Sequence, residues 1–361
     1  MKPTQELHDA GQSIWLDNIT RTLLNDGILA RYIAEYSVTG LTSNPTIFDR
    51  AIETGTDYDD DITARKATGA SDEEVFFDLA VTDLRRAADL FAPAHGRTDG
   101  VDGWVSLEVS PLLARNTRST IDEAVALYRR AARGNLFIKI PGTAEGLPAI
   151  EESIYRGVPV NVTLLFSAEH YQDAAGAYLR GVERRIMAGK NPVVGSVASV
   201  FVSRWDKAVA GRAPAELRDR LGIAVAKRAY RAYRELLDSP RWQRLANEGA
   251  RPQRLLWAST STKDPQAPDV LYVTDLAAPF TVDTMPDQTL EAFADHGKVG
   301  EFLPADGGDA DEVITAFGNA GIDVGSLAGE LQRKGADAFV ASWQDLLARI
   351  GSRHEQLSAT G

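Results

Sequence analysis

The chain has 361 residues, 44% of them hydrophobic and 25% charged, which is typical of a globular protein with a large core. It contains no cysteine, which excludes disulfides, thiolate catalysis and cysteine-ligated metal centres. The formal net charge of −12 predicts no nucleic-acid partner, because polyanions are bound by clustered positive charge.

The sequence carries no signal for a membrane. Residues 1–9 include acidic side chains and no apolar segment of the kind found in a secretory signal. No run of about 18 apolar residues occurs, so we expect no membrane span. Together with the missing cysteines, these features favour a cytoplasmic protein.

Apolar stretches of strand composition alternate along the chain with stretches of helical spacing. The predicted strands lie at 13–18, 38–48, 103–110, 135–143, 157–166, 193–202, 254–259 and 279–285. Helices are predicted at 1–12, 20–37, 71–93, 119–133, 144–156, 167–188, 215–237 and from 286 onward, with a polar tail over 351–361.

Two helix starts carry local signals. Ser71 followed by Glu74 is typical of a capping box, and Thr120 is the predicted N-cap of the helix at 119–133. Residues 49–70 are acidic and are predicted to be irregular.

Eight strands separated by helices, without a linker, predict parallel pairing in a (β/α)8 barrel. We expect a single domain over 1–361, with the barrel core at about 13–290 and C-terminal helices at about 290–350. A doubly wound open sheet is the alternative. It is disfavoured because no GxGxxG follows an early strand and no GxxxxGK[ST] occurs.

Lys139 stands in an apolar strand, after Leu136, Phe137 and Ile138 and before Ile140. Burying an unpaired ammonium group is expensive, so its position needs an explanation. The lysine could reach solvent from an edge strand, or pair with a buried carboxylate. Alternatively, apolar surroundings could keep it neutral, so that it attacks a carbonyl and forms a Schiff base.

In a (β/α)8 barrel the chemistry lies at the carboxyl ends of the strands, so polar residues late in each strand are candidates. This criterion selects one lysine, two carboxylates, two amides and several hydroxyls: Lys139, Asp17, Glu108, Asn44, Asn161, Thr163, Ser199, Ser259 and Thr284. The set suits class I aldol chemistry, in which a lysine forms an iminium ion and carboxylates move protons. The five histidines lack zinc-site spacing, which disfavours a metal-dependent reaction.

Carboxylates close to a lysine raise its pKa and so keep it protonated. We therefore expect Glu108 and Asp17 to be separated from the Lys139 amine, or to act through water.

Four motifs make the sequence similar to the transaldolases, specifically the longer bacterial type. They are LTSNPTIF at 41–48, VSLEV at 105–109, NLFIKIPGT at 135–143 and NVTLLF at 161–166. The stretches WASTSTKDP at 257–265 and DTMP at 283–286 add support, and the similarity runs from about residue 13 to 290.

The resemblance implies a barrel of the class I aldolase type with Lys139 as the Schiff-base lysine. Glu108 then matches the glutamate that acts with a bound water, and Thr163 matches the hydroxyl that positions this water. Asp17 matches the general acid/base at the carbon where the bond is cleaved.

The resemblance also implies how the substrate is held. Asn44 and Asn161 would bind the hydroxyls of a dihydroxyacetone unit, with Ser199 beside them. Phe201 would lie near the catalytic water, where related fructose-6-phosphate aldolases have a tyrosine.

At the phosphate end, Arg204 and Ser259 match family residues. The second arginine of many transaldolases would fall near Ser261, which is not basic, and Lys263 could supply the charge instead. The alternative interpretation of Lys263 is a solvated turn. An arginine binds a phosphate through two parallel hydrogen bonds, whereas a lysine acts as a point charge.

The implied reaction moves dihydroxyacetone from sedoheptulose 7-phosphate to glyceraldehyde 3-phosphate, giving erythrose 4-phosphate and fructose 6-phosphate. It belongs to the non-oxidative pentose phosphate pathway and uses no cofactor. The partners would be sugar phosphates, and the chain would be a homodimer or a monomer.

Two other functions compete with this one. A fructose-6-phosphate aldolase, or another class I lysine aldolase, would use the same barrel, and Phe201 argues against it. A barrel that only binds a partner is a further alternative, against which the intact set of Lys139, Glu108 and Asp17 argues.

Overall fold

The computed structural model describes residues 1–360 and contains a closed barrel of eight parallel strands. Each strand pairs with the next in chain order, and the last pairs with the first, which confirms the predicted (β/α)8 barrel. The strands are β1 (Ser13–Asp17), β2 (Val38–Thr42), β3 (Trp104–Glu108), β4 (Leu136–Pro141), β5 (Val160–Leu165), β6 (Ser196–Phe201), β7 (Arg254–Ala258) and β8 (Val282–Met285).

Sixteen α-helices lie within residues 1–360, and every connection between consecutive strands contains at least one. They are α1 (Pro3–Asp9), α2 (Arg21–Asn25), α3 (Ile28–Glu35), α4 (Pro45–Thr54), α5 (Asp59–Ala67), α6 (Asp72–Arg97), α7 (Thr117–Ala131), α8 (Gly146–Arg156), α9 (Ala168–Met187), α10 (Ser203–Val209), α11 (Leu221–Asp238), α12 (Pro240–Asn247), α13 (Leu271–Asp275), α14 (Asp287–His296), α15 (Ala310–Asn319) and α16 (Val324–Thr360).

The stretch 38–48 is a strand only as far as Thr42. Pro45 begins α4, and the side chain of Asn44 caps this helix by accepting a hydrogen bond from its first turn. Proline is favoured at a first helical position because its fixed φ suits the helix and its missing N–H is not needed there. The segment 49–70 was predicted to be irregular, with a solvated helix start or a loop at its aspartates. It contains the end of α4 and all of α5, which begins at Asp59, so the irregular assignment is wrong and the helix start is present.

The capping box at Ser71 and Glu74 is confirmed, with both of its hydrogen bonds present at the start of α6. The predicted N-cap Thr120 is wrong. Asn116 caps α7 by accepting a hydrogen bond from Ser119 N at 3.0 Å. Asparagine and threonine are both common N-cap residues, so the sequence alone did not distinguish Asn116 from Thr120.

Aromatic side chains fill the amino-terminal half of the barrel interior. Phe137 stacks on Trp104 with ring centroids 4.1 Å apart, and Trp15 lies 6.0 Å from Phe137. Gly40 makes room for them, because a Cβ at this position would lie 2.6 Å from the Trp15 ring. The Trp15 indole N–H donates to Asp102 Oδ1 at 2.9 Å, so its polar end is satisfied. These rings fill the barrel interior below the carboxyl ends of the strands.

Helix α16 is the longest helix of residues 1–360, and it packs against α4, α5 and α6. Arg349 pairs with Asp49 of α4 at 3.1 Å, and Arg353 pairs with Asp59 of α5 at 2.6 Å. Both helices follow β2, so these ion pairs tie the C-terminal helix to the carboxyl end of the barrel.

The predicted polar tail at 351–361 is the end of α16 as far as Thr360, and Gly361 lies outside the described residues. Within residues 1–360, no helix has both the length and the apolar composition needed to cross a membrane. The assignment of the whole chain to a single domain stays a prediction.

Asp283 is a buried carboxyl on β8. It accepts a hydrogen bond from Thr260 Oγ1 at 2.9 Å, while its other oxygen has no hydrogen-bond partner among residues 1–360. Burial penalises the charged form and raises the pKa of Asp283 to about 7.

The raised pKa of Asp283 predicts a pH-dependent stability. An unfolded chain ionises this carboxyl near pH ~4. Between that pH and about 7 the folded protein holds the extra proton, so the free energy of unfolding falls as pH rises. The Asp283→Asn variant cannot titrate there. Denaturant unfolding at pH 5 and pH 8 should therefore show a smaller loss of stability in the variant. An equal loss in both proteins would contradict this assignment.

Candidate active site

A cavity of about 730 Å³ opens at the carboxyl ends of the strands. Ten of the twelve predicted site residues line it: Asp17, Asn44, Lys139, Thr163, Ser199, Phe201, Arg204, Ser259, Lys263 and Thr284. The other two, Glu108 and Asn161, lie behind the wall, where each contacts a residue that lines the cavity. The structure thus gathers the whole predicted set at one place.

Lys139 lies on β4, between Glu108 on β3 and Asn161 on β5 in the strand register. Its side chain is 8% exposed, so it does not reach solvent, and β4 is not an edge strand. Lys139 Nζ lies 3.3 Å from Glu108 Oε2 and donates to the Ser43 carbonyl at 3.4 Å. Among the three explanations for a lysine in this strand, the structure supports pairing with a buried carboxylate.

Of the two expected alternatives, separation of Glu108 from the amine is therefore wrong, and action through water stays a prediction. Parallel pairing of β3 with β4 sets Glu108 directly beside Lys139, and a buried ammonium group needs a charged partner. Burial raises the pKa of Glu108, although the charge of Lys139 opposes this. A carboxylate with a raised pKa beside an ammonium group is suited to accept its proton.

Asp17, at the end of β1, is the second carboxyl of the site. Thr42 Oγ1 donates to Asp17 Oδ1 at 2.8 Å, and Thr284 Oγ1 lies 2.8 Å from Thr42 Oγ1. Burial raises the pKa of Asp17, and the charge of Lys139 is the largest opposing influence. The two threonines orient this carboxyl. Thr42 was missed by the strand-end criterion because the second strand was predicted to continue to a break at Asn44-Pro45, so Asn44 was taken as its late polar residue.

Asn161 is fully buried, and both the nitrogen and the oxygen of its side-chain amide are hydrogen-bonded. Its nitrogen donates to Ser106 Oγ at 3.2 Å, and its oxygen accepts from Ser199 Oγ at 2.7 Å. The hydroxyl of Ser199 lines the cavity, so Asn161 orients it from behind. Asn44 lines the cavity directly, while its oxygen also caps α4.

Thr163 is buried and lines the cavity, and its hydroxyl has no hydrogen-bond partner among residues 1–360. Buried hydroxyls are rarely left without a partner. Its oxygen is thus a free donor and acceptor facing the same space as Lys139.

The opposite part of the cavity is positively charged. The guanidinium carbon of Arg204 lies 4.9 Å from the centre of the Phe201 ring, and burial lowers the pKa of Arg204. Lys263 lines the rim and donates to Ser261 Oγ. Burial lowers the pKa of Lys263, and the charges of Lys207 and Arg204 lower it further. Two cations on one cavity of an acidic protein form a local anion-attracting region.

Ser259 adds a hydroxyl to this region from the end of β7. Its backbone has a φ of 58°, an uncommon value for a residue with a side chain. The Ser259 Oγ lies 2.9 Å from Ser203 Oγ. Unusual backbone angles occur often at functional sites, where surrounding contacts hold them.

One wall of the cavity could not be predicted from motifs or strand ends. Phe339 and Ser342, on α16, lie over the strand ends. Neither belongs to a motif, and both follow the last strand by more than fifty residues. Within residues 1–360, no group of three or more histidine, aspartate or glutamate side chains is placed to hold a metal ion.

The fold and the cavity define a (β/α)8-barrel enzyme with a buried lysine, two carboxyls and a cationic end. Residues 14–350 match the model of the transaldolase/fructose-6-phosphate aldolase family. The chain is 46% identical to a transaldolase of Thermobifida fusca over 99% of both chains, and 46% identical to one of Arthrobacter sp. over 96% of both. It is 44% identical to a transaldolase of Mycobacterium bovis over 94% of both chains.

The chain therefore belongs to the transaldolase/fructose-6-phosphate aldolase family. This confirms the resemblance that its motifs indicated.

Proposed function

We propose that this protein is a transaldolase that transfers dihydroxyacetone from sedoheptulose 7-phosphate to glyceraldehyde 3-phosphate through a Schiff base. The observation that carries the proposal is the buried amine of Lys139, which lies 3.3 Å from Glu108 and opens on a cavity shared with Asp17. An amine, a proton acceptor beside it and a second carboxyl facing the same space are what this reaction needs.

The first half-reaction begins when Glu108 takes a proton from Lys139. The free amine attacks the C2 ketone to give a carbinolamine, which takes up a proton and loses water to form an iminium ion. Asp17 accepts the proton of the C4 hydroxyl as the C3–C4 bond breaks. The electron pair of that bond moves into the iminium to give an enamine, and the shortened aldose leaves.

The second half-reaction reverses these steps on a new aldehyde. The enamine carbon attacks the carbonyl of glyceraldehyde 3-phosphate, and Asp17 returns its proton to the new hydroxyl. Water then adds to the iminium, and Lys139 is released as the amine. The Thr163 hydroxyl faces the cavity without a protein partner, which supports a role in positioning this water.

The remaining cavity residues support binding of the sugar chain. Ser199, oriented by Asn161, and Asn44 present polar groups to the hydroxyls of the dihydroxyacetone unit. Arg204 and Ser259 would bind the phosphate, with Lys263 supplying charge at the rim.

Direct fructose-6-phosphate cleavage is the alternative within the same family. Phe201 lines the cavity and stacks on Phe166, with ring centroids 5.3 Å apart. It carries no hydroxyl that could pass protons to an enamine, which favours transfer to an aldehyde over release. The cytoplasmic location of the protein and its state as a homodimer or a monomer stay predictions.

Borohydride tests the nucleophile. Reduction in the presence of fructose 6-phosphate should fix a three-carbon adduct on Lys139, because borohydride converts the iminium to a stable amine. Intact mass and peptide mapping measure the mass and the site of the adduct. The Lys139→Met variant should carry no adduct and should transfer nothing. An adduct at another lysine, or normal turnover in this variant, would exclude the mechanism.

Lys263→Met tests the phosphate end. Loss of a charge at a partly exposed rim should raise KM for fructose 6-phosphate about fivefold and leave kcat within about twofold. The rate with unphosphorylated fructose should not change. Lys263→Arg, which keeps the charge, is the matched control. An unchanged KM in Lys263→Met would assign this lysine to a solvated turn.

A further inference from the structure

We infer that the Phe339 ring of α16 keeps bulk water from the Lys139 enamine, so that dihydroxyacetone is transferred rather than released, while the cavity retains the one water that the reaction itself uses. The inference rests on the proposed function and adds a residue far from the family motifs.

The ring of Phe339 covers the reacting atoms. Lys139 Nζ lies 5.3 Å from the centre of this ring, and the guanidinium carbon of Arg204 lies 6.0 Å from it. Phe339 lines the cavity and is only 9% exposed. The ring is therefore buried in the cavity wall beside the amine and close to the Arg204 guanidinium.

Helix α16 is fixed where it carries this ring. Gln332, seven residues before Phe339 and on the same face of the helix, donates to the carbonyls of Gly142 and Leu164 at 3.1 and 3.0 Å. These carbonyls lie at the ends of β4 and β5. A Cβ on Gly335 would lie 2.9 Å from the Leu164 side chain, so the helix approaches β5 closely. These contacts between α16 and the ends of β4 and β5 hold the ring over Lys139.

On the other side of the ring, the Ser342 hydroxyl lies 3.1 Å from Thr46 Oγ1 of α4. The ion pairs of Arg349 and Arg353 hold the following turns of α16 to α4 and α5. Phe339 thus lies between two anchored segments of one helix.

The chemistry makes water exclusion decisive. Protonation of the enamine carbon by water gives the iminium of dihydroxyacetone. A second water then adds to the iminium carbon, the C–N bond breaks, and free dihydroxyacetone leaves Lys139 as the amine. The net reaction consumes one water and no acceptor aldehyde. A cavity that excludes water suppresses this side reaction and leaves the enamine for the aldehyde.

The experiment measures release against transfer. Each protein is incubated with fructose 6-phosphate, with and without erythrose 4-phosphate, and both free dihydroxyacetone and sedoheptulose 7-phosphate are quantified. Phe339→Ala removes the cover and should raise the ratio of release to transfer about tenfold. Phe339→Leu keeps most of the apolar volume and should stay within about threefold of the wild type.

Lys334→Ala is the matched control, since this side chain lies on the same helix and is 70% exposed. Its ratio should equal that of the wild type. If Phe339→Ala does not fold, as judged by thermal unfolding, Phe339→Val replaces it and should give an intermediate ratio. A folded Phe339→Ala or Phe339→Val variant with the wild-type ratio would overturn this inference and leave the proposed function intact. A wild type that transfers nothing would overturn the proposed function, and the inference with it.

Discussion

The site depends on a lysine and a glutamate that share a buried position inside the barrel. Taking two charges out of water costs several kcal/mol per ion, and only close pairing offsets that cost. The register of β3 and β4 brings Glu108 within 3.3 Å of Lys139, and both side chains are buried inside the closed barrel. Losing one partner would leave an uncompensated charge in the interior. The fold thus gives up stability to hold an amine beside its proton acceptor.

Uncharged residues on neighbouring strands orient the other polar groups of the site. Thr42 and Thr284 fix the direction of the Asp17 carboxyl, and Asn161 fixes the Ser199 hydroxyl. Aromatic side chains fill the opposite half of the barrel, and the cavity that holds Lys139 and Asp17 opens at the carboxyl ends of the strands. Helix α16 covers that end, so a segment beyond the last strand completes the cavity. Positioning by hydrogen bonds and covering by one helix are distinct tasks, and different parts of the chain perform them.

Most of this arrangement could be predicted because a parallel barrel converts sequence position into spatial position. Polar residues late in successive strands meet at one end, and the motifs identified the family. The direct contact between Glu108 and Lys139 was missed, since strand register depends on pairing that one sequence does not reveal. The position of Phe339 was also missed, because it depends on how α16 packs against distant strand ends. The stretch 38–48 was predicted as a strand broken at Asn44-Pro45, and the part after the break is a helix because Pro45 suits a helix start as well as a strand break.

A crystal structure of the protein after soaking with fructose 6-phosphate would show directly whether Lys139 is the nucleophile. We expect continuous density from Lys139 Nζ to C2 of a dihydroxyacetone unit, with Glu108 beside the nitrogen and the Phe339 ring covering it. Any retained phosphate should face Arg204. An occupied cavity in which Lys139 keeps a free amine, or a covalent bond at another residue, would show that this buried lysine is not the nucleophile.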